Sequence, residues 1–477
     1  MKNIFSVFVS GVKSSAFSTI YKSILQVIQL VILTRLLSHE DFGIYAIVAI
    51  FVNFAKIYMD FGVTNSIIQE KKPSHTLLSS LFWINVVCGL IIFFLVYVAS
   101  SPISEYYGSE VIGRVMKFMS IIFFLYSFSN LHRALMKKYF DFVKLAFIDC
   151  FSLTLSFFTT IISAYFGEGV WSFAYGAIVH SFISTVSILF LSKKYLTPSV
   201  VFDFELSISS LKFGLYQLGQ NTIIFATTQV DVIIIGKILG LEILGVYNII
   251  KQYLYMFSQV VNPIIGNVIY PILSSVNDDD SKVDNISSKI IKYAFILNVS
   301  FFGVFIVFPD VIGNIVLDTI DYSDVIVVLA TFFAMRSFLS PLGAMLLSKG
   351  KANVAFYWSL IELILMSIFC FIGAQYSIYG LSISLLIYQG IMIVFSWFLL
   401  VSRYTTISIK SYITYFIFPC IIFCLAYILT LAISLMSLNK DVLFILSLVG
   451  YFITYFILSM VFNYEVVRYV KYRVGIR

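Results

Sequence analysis

Ser15, Thr19, Lys22, Gln26 and Gln29 follow one another at steps of four, three, four and three residues, inside an otherwise apolar stretch. On a helix that spacing stacks all five on one face. Asn53, Lys56 and Asp60 repeat the pattern in the next apolar stretch. A charge carried to bilayer depth costs about 2.5–3.5 kcal/mol on insertion scales, so it normally faces a wet cavity or a partner. Two neighbouring striped helices therefore imply a water-filled lumen lined by cations. Ammonium and guanidinium groups in such a place recognise phosphate through charge-assisted hydrogen bonds.

The pattern recurs later. Gln217, Gln220, Asn221, Thr228 and Asp231 lie broadly along one face of a later stretch, and Asn248, Lys251, Tyr255, Ser258 and Asn262 along one face of its successor. Five cations stand inside apolar runs: Lys22, Lys56, Arg133, Lys251 and Arg336. They are the candidate ligands of an anion in a central cavity. The amides Gln26, Gln29, Asn53, Gln217, Asn221 and Asn248 are its candidate polar lining. The intramembrane acids Asp60, Asp149, Asp231 and Glu362 admit two readings. Each is an ion- or proton-coupling group that exchanges a proton as water access changes, or a static partner for a cavity cation, as Asp60 is for Lys56 one helical turn away.

Other chemistry has no footing. The four histidines, His39, His75, His132 and His180, are scattered without metal-ligand spacing. There is no phosphate-binding GxxxxGK[ST] loop and no GxSxG nucleophile elbow. The five cysteines all lie in apolar runs, which reads as packed thiols. No cofactor and no metal are expected.

The elements that must position these groups are helices in a bilayer. The chain has 477 residues, of which 60% are hydrophobic and 12% charged, against about 25% charged in soluble proteins. About fourteen spans of the required length lie roughly at 14–37, 42–69, 76–100, 112–136, 143–166, 169–193, 209–236, 242–274, 287–308, 323–347, 353–375, 378–402, 412–436 and 441–463. The eighth is too long to be straight, and Pro263 and Pro271 are expected to kink or end it. Lys71, Lys72, Lys137, Lys138, Lys193, Lys194, Lys349 and Lys351 mark one set of span ends, and far fewer basic residues, Arg35, Lys117 and Lys237 among them, mark the other. This asymmetry puts both termini in the cytoplasm. It also accounts for the net charge of +7 without invoking nucleic acid.

A repeat organises the spans. Shifted by 202 residues, the turn after the first span meets a second turn: Arg35 falls on Lys237, Glu40 on Glu242, Gly43 on Gly245 and Tyr45 on Tyr247. A weaker echo sets Leu135–Lys138 near Leu346–Lys349. Six spans separate the copies, so the repeat is parallel, about an axis along the membrane normal. The expected architecture is all-α, with a six-helix lobe over 1–195, a second over 196–405, and an added helix pair with a basic tail over 406–477. Within the turn, Gly43 is expected to permit close helix packing and Arg35 to hold the turn.

The segment Thr34-Arg-Leu-Leu-Ser-His-Glu-Asp-Phe-Gly43-Ile-Tyr45, followed by Asp60-Phe-Gly62 and Ile67-Ile-Gln69, resembles the N-terminal signature of the polysaccharide-transporter branch of the MOP exporter superfamily. These are the Wzx-type flippases of O-antigen, colanic-acid and capsule synthesis. The resemblance implies a multi-pass bacterial inner-membrane protein that moves an undecaprenyl-diphosphate-linked oligosaccharide to the outer leaflet by alternating access. It also implies a polysaccharide polymerase and a chain-length regulator as partners. Related lipid flippases hold the diphosphate in a cationic cavity, and Lys22, Lys56 and Lys251 match that idea by position. Lys22 stands where the peptidoglycan-precursor branch has an arginine cluster, which argues against lipid II as cargo. Two alternatives are a drug or cation antiporter of the same superfamily, which predicts an acid-dominated cavity, and a membrane polymerase or ligase acting on the same lipid-linked sugar, which needs a sizeable external loop.

Overall fold

The computed structural model describes residues 4–59, 67, 70, 73–199, 203–256, 280–434 and 440–461, and every regular element among them is helical. In chain order these are α1 (Ile4–Leu36), α2 (His39–Met59), α3 (His75–Tyr107), α4 (Glu110–Met119), α5 (Ile121–Lys138), α6 (Phe142–Tyr165), α7 (Trp171–Ser192), α8 (Phe204–Ile238) and α9 (241–256). They continue with α10 (Asp280–Val307), α11 (Pro309–Leu317), α12 (Ser323–Ser348), α13 (Ala352–Ala374), α14 (Ile378–Ser396), α15 (Ile409–Ser434) and α16 (Lys440–Val461). Among the described residues, 13 helical segments are long and apolar enough to cross a membrane. They coincide with thirteen of the expected spans. The remaining one, the eighth, begins as α9, and Pro263 and Pro271 lie outside the described residues, as do Asp60 and Asn262.

The helices are packed for lipid. Phe94, Leu95 and Val98 of α3 and Phe190 of α7 are exposed on the outside, while Ser79, Ser80, Ser100, Ser127, Ser152, Ser192 and Ser382 are buried between helices. Small residues let helices approach closely where no hydrophobic effect drives them together. Ser79 bonds to Ser199 at 3.1 Å, and the others donate within their own helices, as Ser152 does to Ile148 O at 2.8 Å and Ser382 to Ile378 O at 2.8 Å. Between α6 and α7, Ser156 donates to the carbonyl of Gly176 at 2.8 Å.

By packing, the chain forms two units. The first is residues 1–250 with 316–318 and 359–375; the second is residues 251–315, 319–358 and 376–477. In the first unit the repeated turn has a built-up structure at the lysine-poor end. Ser38 caps α2: its Oγ accepts from Asp41 N at 3.2 Å, and Asp41 Oδ2 accepts from Ser38 N at 3.1 Å, a reciprocal capping box. The other oxygen, Asp41 Oδ1, accepts from Val170 N at 2.9 Å and so ties the α6–α7 turn to the α1–α2 turn. Tyr45 stacks on Phe173 of α7 at 4.2 Å. Arg35 forms an ion pair with Asp318.

Gly43 and Gly245, equivalent under the repeat, are pressed against each other's helix. A Cβ on Gly43 would run into the carbonyl of Leu241, and a Cβ on Gly245 into that of His39. His39 and Leu241 are themselves equivalent under the same shift. The contact is reciprocal, backbone on backbone, at the first turn of α2 and of α9. Only a residue without a side chain fits there, and its Cα–H faces a carbonyl oxygen.

At the lysine-rich end of the first unit, Asp141 stands before α6 and accepts from Tyr195 at 2.5 Å, Lys144 at 3.2 Å and Lys194 at 3.2 Å. Nearby, Lys138 donates to the carbonyls of Ile67 and Glu70.

The second unit packs α10 against α12 and α15, and α12 against α14. Lys349 closes α12 with its side chain folded inward. Its Nζ reaches Asp284 Oδ1 at 2.7 Å and Tyr404 O at 2.7 Å, while Asp284 Oδ2 accepts from Thr406 N at 2.7 Å. Lys138 and Lys349, matched by the second echo of the repeat, thus both tie a helix end to carbonyls of another segment. The α15–α16 pair is fastened to α10 by Tyr455, whose hydroxyl donates to Ile296 O at 2.9 Å, and by Tyr451, which fills the space left by Gly303. All three residues are shut off from solvent or nearly so.

These contacts set three expectations. Gly43→Ala and Gly245→Ala each lower the thermal stability of the purified protein, because the added Cβ meets backbone, whereas Gly219→Ala, with nothing within 4 Å of the new Cβ, does not. Lys349→Met leaves Asp284 buried without its cation and costs about 3–5 kcal/mol in denaturant unfolding; Lys349→Met with Asp284→Leu recovers most of the loss. The third is pH-dependent. Burial acts to raise the Asp141 carboxyl, but hydrogen bonds from Tyr195, Lys144 and Lys194 outweigh it and hold the group below its ordinary 3.8. Its contribution is therefore complete above that ordinary value and disappears as pH falls through the lowered one. Asp141→Asn is less stable than the parent at neutral pH, and the gap closes in acid.

Candidate functional site

On α1 Lys22 is exposed, and Gln26 and Gln29 are half-buried; the apolar residues Phe17, Ile20, Ile24 and Ile28 on the other side of the helix are exposed as well. Beside the stripe, the hydroxyl of Tyr21 is 2.6 Å from Thr154 Oγ1 of α6. The adjacent helix repeats the arrangement. On α2, Phe54 packs on Phe225 of α8 at 5.9 Å and Tyr58 meets Thr222 at 3.0 Å. This leaves Asn53 and Lys56 exposed on the remaining side. For Lys56 helical periodicity accounts for this: Phe54 and Tyr58, each two residues away, anchor the side of α2 opposite its amine.

Lys22 lies close enough to act electrostatically on Lys56. Neither amine has a hydrogen-bond or ion-pair partner among the described residues. Two like charges held together at bilayer depth without an acid are a standing attraction for an anion.

Arg133 and Asp149 resolve differently. The guanidinium of Arg133, on α5, forms an ion pair with Asp149 of α6 and reaches Ser184 of α7 at 3.5 Å. Of the two readings of Asp149, static partner or coupling group, this geometry supplies a partner. Asp231, also a coupling candidate, is buried on α8; it accepts from the hydroxyl of the fully buried Tyr247 at 2.6 Å and from Val232 N at 2.8 Å. Under the repeat, Asp231 corresponds to Gln29, and Tyr247 to Tyr45.

The other candidates disperse. Asn221 is exposed on α8. Asn248 is buried in α9, and its Nδ2 has no partner among the described residues. Glu362 is half-buried on the part of α13 that belongs to the first unit. Lys251 and Arg336 are half-buried in the second unit, where Arg336 lies over the Phe332 ring at 5.9 Å. Asp60 and the side chain of Gln217 lie outside the described residues. Among the described residues no cluster of His, Cys, Asp or Glu is placed to hold a metal ion. What the structure brings together is one group in the first unit: Lys22, Lys56, Arg133 and Asp149, drawn from α1, α2, α5 and α6.

Sequence reasoning passed over one residue beside that group. His180, midway along α7, is half-buried and lies in the fields of Lys56, Asp149, Arg133 and Lys22. Its own helix gives no sign of this, because all four charged neighbours come from other helices.

A family model described as "Polysaccharide biosynthesis protein" matches residues 32–320. The chain is 25% identical over 417 residues to the lipopolysaccharide biosynthesis protein WzxC of Escherichia coli (strain K12), covering 85% of this chain and 83% of that one. It is 25% identical over 424 residues to the teichuronic acid biosynthesis protein TuaB of Bacillus subtilis (strain 168), covering 87% and 82%. Among solved structures, the lipid II flippase MurJ in an inward closed conformation superimposes with a TM-score of 0.74 at 14% identity, covering 96% of this chain and all of that one. An inward-facing multidrug-resistance MATE transporter of the MOP superfamily gives 0.62 at 13% identity, covering 84% and 94%. The fold is therefore that of the MOP superfamily, and the family match over more than half of its length makes this chain a member of the polysaccharide biosynthesis protein family.

Proposed function

We propose that this protein is a flippase that carries a polyprenyl-diphosphate-linked oligosaccharide across a bacterial inner membrane by alternating access. The observation that carries this reading is the pair Lys22 and Lys56: accessible, in each other's field, and without an acid among the described residues. A diphosphate diester brings two negative charges to two ammonium groups, each of which replaces water by charge-assisted hydrogen bonds. The amides Gln26, Gln29, Asn53 and Asn221 give the adjoining oligosaccharide donors and acceptors. The polyprenyl tail never leaves lipid. A cation antiporter would need acids where this chain has lysines, so the anionic cargo is the better match.

Relatives named for lipopolysaccharide, teichuronic acid, amylovoran and succinoglycan synthesis support a polysaccharide precursor as the cargo. The charge asymmetry of the span ends supports cytoplasmic termini, with the α1–α2 turn outside. On this topology the repeat assigns 1–195 and 196–405 to the two lobes, and 406–477 to an appendage. Lys251 and Arg336 are the second lobe's candidate cations. A polymerase and a chain-length regulator are the natural partners, since the delivered unit has to be assembled outside. A membrane potential of 100 mV supplies about 2.3 kcal/mol per charge moved, a bias of about fiftyfold between two states.

The test is transport of a fluorescent short-chain polyprenyl-diphospho-oligosaccharide in proteoliposomes, read by protection from an external quencher. Lys22→Gln with Lys56→Gln slows translocation at least tenfold while the protein remains folded. Lys22→Arg with Lys56→Arg retains it. Parent-like transport by the double glutamine variant overturns the assignment.

A further inference from the structure

The first unit carries, beside Lys22, Lys56 and Arg133, a fourth group able to bear positive charge. The ring of His180 is partly accessible and has no hydrogen-bond or ion-pair partner among the described residues. One turn further along the same face of α7, Ser184 receives Arg133 at 3.5 Å, so the imidazole stands beside the Arg133–Asp149 pair. Four charged groups from other helices act on it electrostatically: Lys22 of α1, Lys56 of α2, Arg133 of α5 and Asp149 of α6. At the start of α7 stand Glu168, whose carbonyl accepts from Trp171 N at 3.1 Å, and Asp41, whose Oδ1 accepts from Val170 N at 2.9 Å; at its other end stand Lys193 and the Asp141, Lys144 and Lys194 cluster.

The balance of these charges depends on whether an anion is present. With the site empty, the ring faces three cations and one carboxylate, and an imidazolium would be repelled. A diphosphate diester adds two negative charges, and an imidazolium is then attracted. Arg133 is already engaged by Asp149, so His180 is better placed than Arg133 to give the anion a further donor. Building on the flippase reading above, we propose that His180 is the third ligand of the diphosphate site and takes up one proton from water when the anion binds. Binding and protonation are then linked reciprocally: low pH on the loading side favours capture, and higher pH on the far side favours release.

The probe is geranyl-diphospho-N-acetylglucosamine, whose phosphates do not titrate between pH 5.5 and 8. It is titrated calorimetrically into the full-length protein in nanodiscs, at several pH values and in two buffers of different ionisation enthalpy. The parent protein shows net proton uptake approaching one per probe, with affinity rising by up to tenfold per pH unit on acidification. His180→Gln still binds, without proton uptake, and at pH 5.5 has the affinity of the parent at pH 8. His180→Arg binds tightly at both extremes without pH dependence. Absence of uptake in the parent, uptake that persists in His180→Gln, or uptake lost only in Asp149→Asn overturns the proposal. The Lys22→Gln, Lys56→Gln double variant separates the two readings. If it binds the probe normally, the diphosphate site itself is misplaced. If it loses binding while His180→Gln keeps the parental pH profile, only the role of His180 fails.

Discussion

An ammonium group in the depth of a bilayer must have either an acid or water beside it. That constraint divides the charged residues of this chain. Arg133 has Asp149, Lys349 has Asp284, and Asp231 is held by Tyr247 and a backbone amide. Each of these is a neutralised or hydrogen-bonded group that joins helices. Lys22 and Lys56 are exposed and have no acid or hydrogen-bond partner among the described residues. Beside them, Tyr21 on Thr154 and Tyr58 on Thr222 are ordinary helix-to-helix contacts.

The duplicated turn is the second organising feature. Here the two copies touch each other, with Gly43 against Leu241 and Gly245 against His39. A reciprocal glycine contact brings two backbones together with nothing between them, which is a favourable arrangement where apolar burial gives no advantage over lipid. Around it the same turn holds Val170 through Asp41 and Asp318 through Arg35. The motif that is most recognisable in the sequence is therefore a structural joint at the lysine-poor end.

Hydropathy, helical spacing and the repeat determined much on their own: the span positions, the polar stripes of α1 and α2, the equivalence of the two turns and the need for glycine in them. These were legible because bilayer thickness fixes helix length and a helix fixes which residues share a face, so both are local properties of the chain. Tertiary structure decided which charges are neutralised. Sequence left Asp149 open between a coupling group and a static partner, and left the partner unnamed until α5 and α6 bring it to Arg133. Asp231 carries no mark of its tie to Tyr247, and His180 none of its cationic neighbours. Each of those facts depends on the distance between residues of different helices, and packing alone sets that distance.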